Sequence, residues 1–265
     1  MILGQEKLCK RIKGTTLDTF PRSILLVGAT GSGKHMMCEY IASHLNIPMV
    51  DITNKLELST INELYQKVEP HLYIIDVSKI GVKEENLILK FLEEPLRNSY
   101  ILLLAITDNG ILPTVVNRCQ VWRMSPYSKD ILKSFTTDGD DLLLSIAETP
   151  GQVIQLRGTN FNSMVELADK IINKIEVASA YNTLTLSNNI GFKGEMDKMD
   201  IRLFISLLMN RIVEKSKQID DVRLMHAYIL TKTMRENCET NNVDLKAIFE
   251  KYLLDLRLTM RGGII

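Results

Sequence analysis

Cysteine is scarce in this chain and badly placed for metal work: Cys9, Cys38, Cys119 and Cys238 are the only four in 265 residues, and no two form a CxxC pair. That spacing excludes a zinc ribbon or a disulfide framework and suits a reducing compartment, with the thiols read as buried packing groups. An excess of either charge is also missing. The 32 Lys and Arg balance the 32 Asp and Glu, so no broad basic surface awaits nucleic acid, and any DNA contact has to be local. Aromatic residues make up only 6%, and no basic stripe carries them interleaved, so no direct DNA-binding groove is read. No apolar run approaches membrane-spanning length. The opening MILGQEKLCKRI reads as neither a signal nor a transit peptide, and the expected location is the cytoplasm. Repeats and low-complexity tracts are absent as well. What remains, 45% hydrophobic and 24% charged, is an ordinary globular composition with room for two or three domains.

Against this plain background one stretch stands out. Ile24, Leu25, Leu26 and Val27 run into Gly28, Gly31, Gly33 and Lys34, and a helical pattern follows from Met36 to Leu45. Strand, glycine loop and helix in that order make a phosphate loop, in which backbone N–H groups and a helix N-terminus face an anion and a lysine reaches its terminal phosphates. The candidate phosphate-binding residues are Gly28, Thr30, Gly31, Ser32, Gly33, Lys34 and His35. His35 is out of pattern. A hydroxyl normally follows the lysine and ligates Mg²⁺, and imidazole is a poor partner for that hard ion. A lone histidine without partners reads as a surface residue at a helix start rather than as a metal ligand.

Further along, the pattern predicts a helix around Leu8 and Ile12, a second buried strand at 49–52, and a helix capped by Ser59 that places Ile61, Leu64, Tyr65 and Val68 on one face. A third strand, Leu72–Ile75, ends at Asp76. A carboxylate at the end of an apolar strand after a phosphate loop is where a Mg²⁺-directed Walker B aspartate sits. Next comes Val77, which can neither accept a proton nor orient water. An amphipathic helix at 83–94 carries Leu87, Ile88, Phe91 and Leu92, and its terminal Glu93-Glu94 reads as a solvated helix end. The continuously apolar Tyr100–Ala105 reads as a central strand covered on both faces, with Thr107 at its tip. A turn at Leu112-Pro113-Thr114, the tetrad Asn117-Arg118-Cys119-Gln120 and a fifth strand at 121–124 complete a parallel α/β pattern ending near Ser125. Beyond it only helices are indicated: short ones at 129–135, 140–147 and 150–156, then three or four longer ones from Phe161, with Tyr181–Asp200 read as a mobile loop.

These pieces together resemble the clamp-loader branch of the AAA+ proteins, and within it the delta-prime type of subunit of bacterial DNA polymerase III. The resemblance rests on Leu3-Gly4-Gln5, the phosphate loop, Leu72–Asp76, Leu89–Pro95, Ala105-Ile106-Thr107, Leu112-Pro113-Thr114 and Asn117–Gln120. It implies an AAA+ module over 1–125 with a five-stranded parallel sheet and helices on both faces, a small helical lid over 126–160, and a helical oligomerisation collar over 161–265. By the resemblance Lys34 binds phosphate, Asp76 is the Walker B aspartate, Thr107 is sensor 1, and Arg118 is a finger that touches ATP bound by a neighbouring subunit. The physics of that last role is sound, because a guanidinium offers permanent charge and a fixed fork of donors; the other reading of Arg118 is an intramolecular ion pair near the domain edge.

Departures from the family pattern then matter. Asn117 replaces a serine, His35 the magnesium hydroxyl and Val77 the glutamate that polarises water. The lid helix beginning Thr149-Pro150-Gly151-Gln152 lacks its arginine, with Arg157 further on, and no zinc module fits between Leu45 and His71. Two readings follow. One is a non-hydrolysing stator in a clamp loader, part of a DNA polymerase holoenzyme. It assembles with motor and delta-like subunits, acts on sliding clamp and primer-template DNA only through them, and touches no membrane. The other is an active AAA+ ATPase such as a gamma-like motor subunit. Bound ATP or ADP, with or without magnesium, stays open on the sequence; zinc is not expected.

Overall fold

The computed structural model describes residues 2–64, 69–93, 99–137, 140–158, 161–188, 198–238 and 244–263, with backbone alone at 186–188 and 198–200. In chain order the elements are α1 (Glu6–Lys13), β1 (Ser23–Val27), α2 (Lys34–Leu45), β2 (Met49–Asp51), α3 (Leu58–Leu64), β3 (His71–Asp76), α4 (Val82–Glu93), β4 (Ser99–Ala105), α5 (Pro113–Val116) and β5 (Gln120–Arg123). There follow α6 (Lys129–Lys133), α7 (Asp141–Ile146), α8 (Pro150–Gly158), α9 (Phe161–Lys174), α10 (Ala180–Asn188), α11 (Lys198–Ser216), α12 (Val222–Asn237) and α13 (Leu245–Met260).

The five strands form one sheet in the order β2-β3-β4-β1-β5, with every pairing parallel. Successive side chains of a strand point to opposite faces, and two separate apolar layers result. Ile24, Leu26, Leu72, Ile74, Leu102 and Leu104 pack with Leu8 and Ile12 of α1 and with Met37 and Ile41 of α2. Leu25, Tyr73, Ile75, Ile101 and Leu103 pack with Ile61 of α3 and with Ile88 and Phe91 of α4. All seven residues of β4 are buried, as expected of a central strand covered on both faces. The second strand is a correction. It lies at the sheet edge, Met49 is 38% exposed, and Asp51 is exposed, because among the described residues β3 is its only neighbouring strand.

Ser59 does not cap a helix, since α3 already begins at Leu58. Tyr65 and Val68 lie outside the described residues, as do Glu94 and Pro95. Ser128 does cap α6, accepting from the Ile131 amide at 3.4 Å.

The chain divides into two compact units, one of residues 1–134 with 149–151 and the other of 135–148 with 152–265. The second unit is helical. Five helices from Phe161 onward, rather than three or four, are found among the described residues, and α10 occupies part of the stretch read as a mobile loop. On α11, Ile201, Ile205, Leu208 and Ile212 lie at helical spacing and are buried, and so are Leu203, Phe204 and Leu207. This helix packs against α7, α9 and α12 and therefore needs more than one apolar face. Arg202, 7% exposed, donates from Nε and Nη2 to the Cys238 carbonyl at 3.1 and 2.6 Å, answering orphan acceptors at the end of α12. No helix among the described residues is long and apolar enough to cross a membrane.

Candidate functional site

Parallel pairing brings three predicted pieces to the carboxyl edge of the sheet. Leu26 of β1 and Asp76 of β3 both register with Leu104 of β4, so Asp76 and the start of the phosphate loop sit two strand spacings apart, about 10 Å, with Thr107 just past the strand between them. Ligands of open α/β sheets collect on this edge.

The loop is wound in the form its sequence demands. Gly31 and Gly33 take φ of 78° and 87°, a region open to glycine, and Gly33 caps α2. Gly28 is required for space: a Cβ there would lie 2.8 Å from Ser32 Oγ and 3.1 Å from Met124. Its amide donates to the Ala105 carbonyl at 3.0 Å, fixing the loop to β4. Lys34 Nζ donates to the carbonyls of Gly28 at 2.6 Å and Ala29 at 3.1 Å, which sets its ammonium against the loop. Thr30 and Gly31 are half-buried and Ser32 is buried. A helix N-terminus, a glycine loop and an ammonium fit a phosphate group.

The metal side of the site does not fit as well. His35 is exposed on the second residue of α2 and brings no oxygen. Asp76, 8% exposed, spends its carboxylate locally: Oδ1 accepts from Ser78 N at 3.1 Å and Ser78 Oγ at 2.6 Å, and Oδ2 lies 3.3 Å from Lys79 Nζ. Its own amide donates to Thr53 Oγ1 at 2.9 Å. Val77 is fully buried in the core layer with Ile75 and Val115, a place where a water-orienting carboxylate would be desolvated. Thr107 Oγ1 accepts from the Asn109 amide at 3.2 Å. Arg157 is used inside the second unit, with Nη1 donating to the Phe135 carbonyl at 3.0 Å and Nε 3.9 Å from Asp140. No His, Cys, Asp and Glu cluster suited to a metal occurs among the described residues.

Arg118 stands exposed two residues beyond α5. Its Nη1 donates to the Thr114 carbonyl at 2.9 Å and its Nη2 to Glu93 Oε1 at 2.5 Å. Glu93, half-exposed, is thus more than a solvated helix end. Sequence reasoning allowed an intramolecular ion pair for Arg118 but missed this partner, since 25 residues separate the two. It also missed Glu85, a buried carboxylate on α4 that accepts from the Leu112 amide at 2.9 Å. Helix α4 therefore holds the 112–118 segment at two points. A third missed feature is Arg123, which forks onto Asp108 at 2.6 and 3.3 Å and draws that carboxyl below its usual range. None of these carried a local signal, because each pair is made by the strand order.

Burial pushes the Cys38 and Cys119 thiols up to about 12, so neither is a nucleophile at neutral pH. None of the four cysteines is in a disulfide; Cys9, Cys38 and Cys238 are buried as their spacing implied, and Cys119 is half-buried.

Comparison with known proteins adds a sequence likeness over part of this unit. A family described as DNA polymerase III, delta subunit, matches residues 47–128. The delta' subunit of DNA polymerase III from Haemophilus influenzae is 33% identical over 86 residues, which cover 31% of this chain and 26% of that protein. The chain thus aligns with about a quarter of the curated relative's length. Among solved structures, a DNA polymerase III gamma subunit-related protein of Thermotoga maritima overlays 97% of this chain and 100% of its own, at 15% identity and a TM-score of 0.48. The RuvB Holliday junction branch migration motor of the same organism overlays 63% of this chain and 61% of its own, at 16% identity and a TM-score of 0.44. Over residues 47–128, which hold β3, α4, β4 and the Arg118 turn, the chain matches the DNA polymerase III delta family and is similar to a delta-prime subunit, as its motifs implied.

Proposed function

We propose that this chain is a delta-prime-like stator of a bacterial clamp loader: it turns over no ATP itself, assembles with motor subunits through its helical unit, and presents Arg118 to ATP held by a neighbour. The observation that carries the first part is Val77, fully buried where a hydrolytic base is needed. The tying of Asp76 to Ser78 and Lys79 supports it. Without a residue to orient water and with the metal carboxylate spent, phosphoryl transfer loses its main sources of acceleration. The loop fits nucleotide phosphates, so ATP or ADP binding without turnover belongs to the proposal.

The second part rests on exposure and chemistry. The Arg118 guanidinium is held at its base by Thr114 and at one edge by Glu93, and a surface ion pair of this kind is worth only about 0–1 kcal/mol. A neighbour's γ-phosphate, with higher charge and three acceptor oxygens, outcompetes one carboxylate for the fork. Assembly is supported by α12, where Val222, Met225 and Ile229 are 68%, 64% and 49% exposed at spacings of three and four residues, one apolar stripe on a charged chain.

Two measurements test the proposal. Purified chain with Mg-ATP is expected to show turnover at background; a rate on the order of 1 s⁻¹ or faster would return the motor-ATPase reading. In a reassembled loader, Arg118→Ala is expected to lower DNA-stimulated turnover at the facing site by roughly 10³-fold. Arg118→Lys should fail with it, since an ammonium has no fork. Unchanged turnover in both variants would remove the finger from the proposal.

A further inference from the structure

The phosphate loop is held through its carbonyls, whereas an anion is bound by amides. Five successive carbonyls, Gly28 to Ser32, each accept a hydrogen bond from within the chain. Lys34 Nζ serves Gly28 and Ala29, and the Ser32 amide also reaches Ala29 at 3.1 Å. Thr149 Oγ1 donates to Thr30 at 2.9 Å, the Gly151 amide to Gly31 at 3.0 Å, and Tyr127 Oη to Ser32 at 2.7 Å. Thr149 is 3% exposed. Gly151 lies so close that a Cβ on it would sit 2.5 Å from Gly31 Cα and 2.8 Å from Gly31 O. Tyr127 is itself wedged: its ring lies 2.9 Å from where a Cβ of Gly4 would be, and Gln5 beside Gly4 exchanges two hydrogen bonds with Ser125, at 2.9 and 2.7 Å.

A loop that turns successive N–H dipoles toward one point is unfavourable without an anion at that point, and a glycine-rich segment has more backbone entropy to lose than any other. In a nucleotide-dependent loop the phosphate supplies the compensation. Here the carbonyl side supplies it. We infer that Thr149-Pro150-Gly151, with Tyr127, forms a built-in brace that keeps the loop wound in the absence of nucleotide, so that nucleotide arrival and departure change its order little. This inference concerns residues 28–34 and their holders alone; it does not rest on Arg118 or on the stator reading, and it stands or falls separately from them.

The test is backbone ¹⁵N relaxation on the full chain, nucleotide-free and with millimolar Mg-ADP. Amides of Ala29–Gly33 in the nucleotide-free protein are expected to have order parameters near 0.85, those of rigid backbone, and to stay there with ADP. Thr149→Val removes one bond of the brace at nearly constant shape, and Gly151→Ala forces the backbones apart. Each is expected to drop the loop toward 0.6 or below while α2 and β1 remain rigid. A nucleotide-free wild-type loop below about 0.6 that rises with ADP would overturn the inference, as would variants that leave it rigid. Should Gly151→Ala fail to fold, Thr149→Val decides alone.

Discussion

Glu85 shows how much one side chain can settle. It is 4% exposed, carries a carboxylate, and receives the Leu112 amide at the start of α5. Glu85→Ala strands that part-buried N–H and is expected to cost about 1–3 kcal/mol in urea unfolding, whereas Glu85→Gln keeps an acceptor and should cost less. A result in which the two variants unfold alike would mean that the carboxylate is not the acceptor that matters. Glu93→Gln, at the half-exposed end of the same helix, is expected to shift stability by under about 1 kcal/mol. Glu93 was legible in the sequence as a helix end, but its bond to Arg118 was not, since helix periodicity says nothing about a neighbour 25 residues away.

At the scale of elements, β4 is the strand on which the first unit depends. Leu102 and Leu103 are each fully buried, in opposite layers, between β3 and β1. Truncating either to Ala is expected to cost about 2–5 kcal/mol, and the two should add nearly independently because the sheet separates their cavities. In the helical unit, Asp244 accepts from the amides of Lys246 at 3.0 Å and Ala247 at 3.2 Å and so caps α13. Asp244→Ala should lower stability by about 0.5–2 kcal/mol and Asp244→Asn by much less, read as shifts in thermal midpoint. Helix and strand identities here follow from periodicity. Edge against centre does not, and β2 reads as buried because a short apolar run looks the same in either place.

At the scale of the whole molecule, two thiols, the buried Cys38 and the half-buried Cys119, give stability a pH dependence. Cys38 and Cys119 rise from an ordinary 9.0 to about 12, both through burial. A group whose folded value is raised binds protons more tightly when folded, so its contribution is fully present below pH 9 and is lost as pH climbs toward 12. Denaturant midpoints measured at about pH 8 and about pH 11 should therefore fall, and replacing both cysteines with Ala should flatten the decline. The exposed stripe of α12 belongs to this scale also. Met225→Glu leaves an already exposed position exposed, so folding should be unchanged, while co-purification with motor subunits is expected to weaken. Retained assembly would move the interface elsewhere.

The sequence by itself determined the local grammar of this protein: glycines where the loop needs positive φ, continuous apolar strands where both faces are covered, an aspartate at one strand end and a valine where a carboxylate would be needed. These are short-range effects of backbone sterics and burial, and they can be read along the chain. Only the tertiary structure decided what faces what. Strand order puts Asp76 and the loop on one edge, α4 brings Glu85 and Glu93 to the Arg118 turn, and Gly151 comes to rest on Gly31 from 120 residues away. Contacts of that range are fixed by how layers stack and how elements cross, which no local pattern encodes.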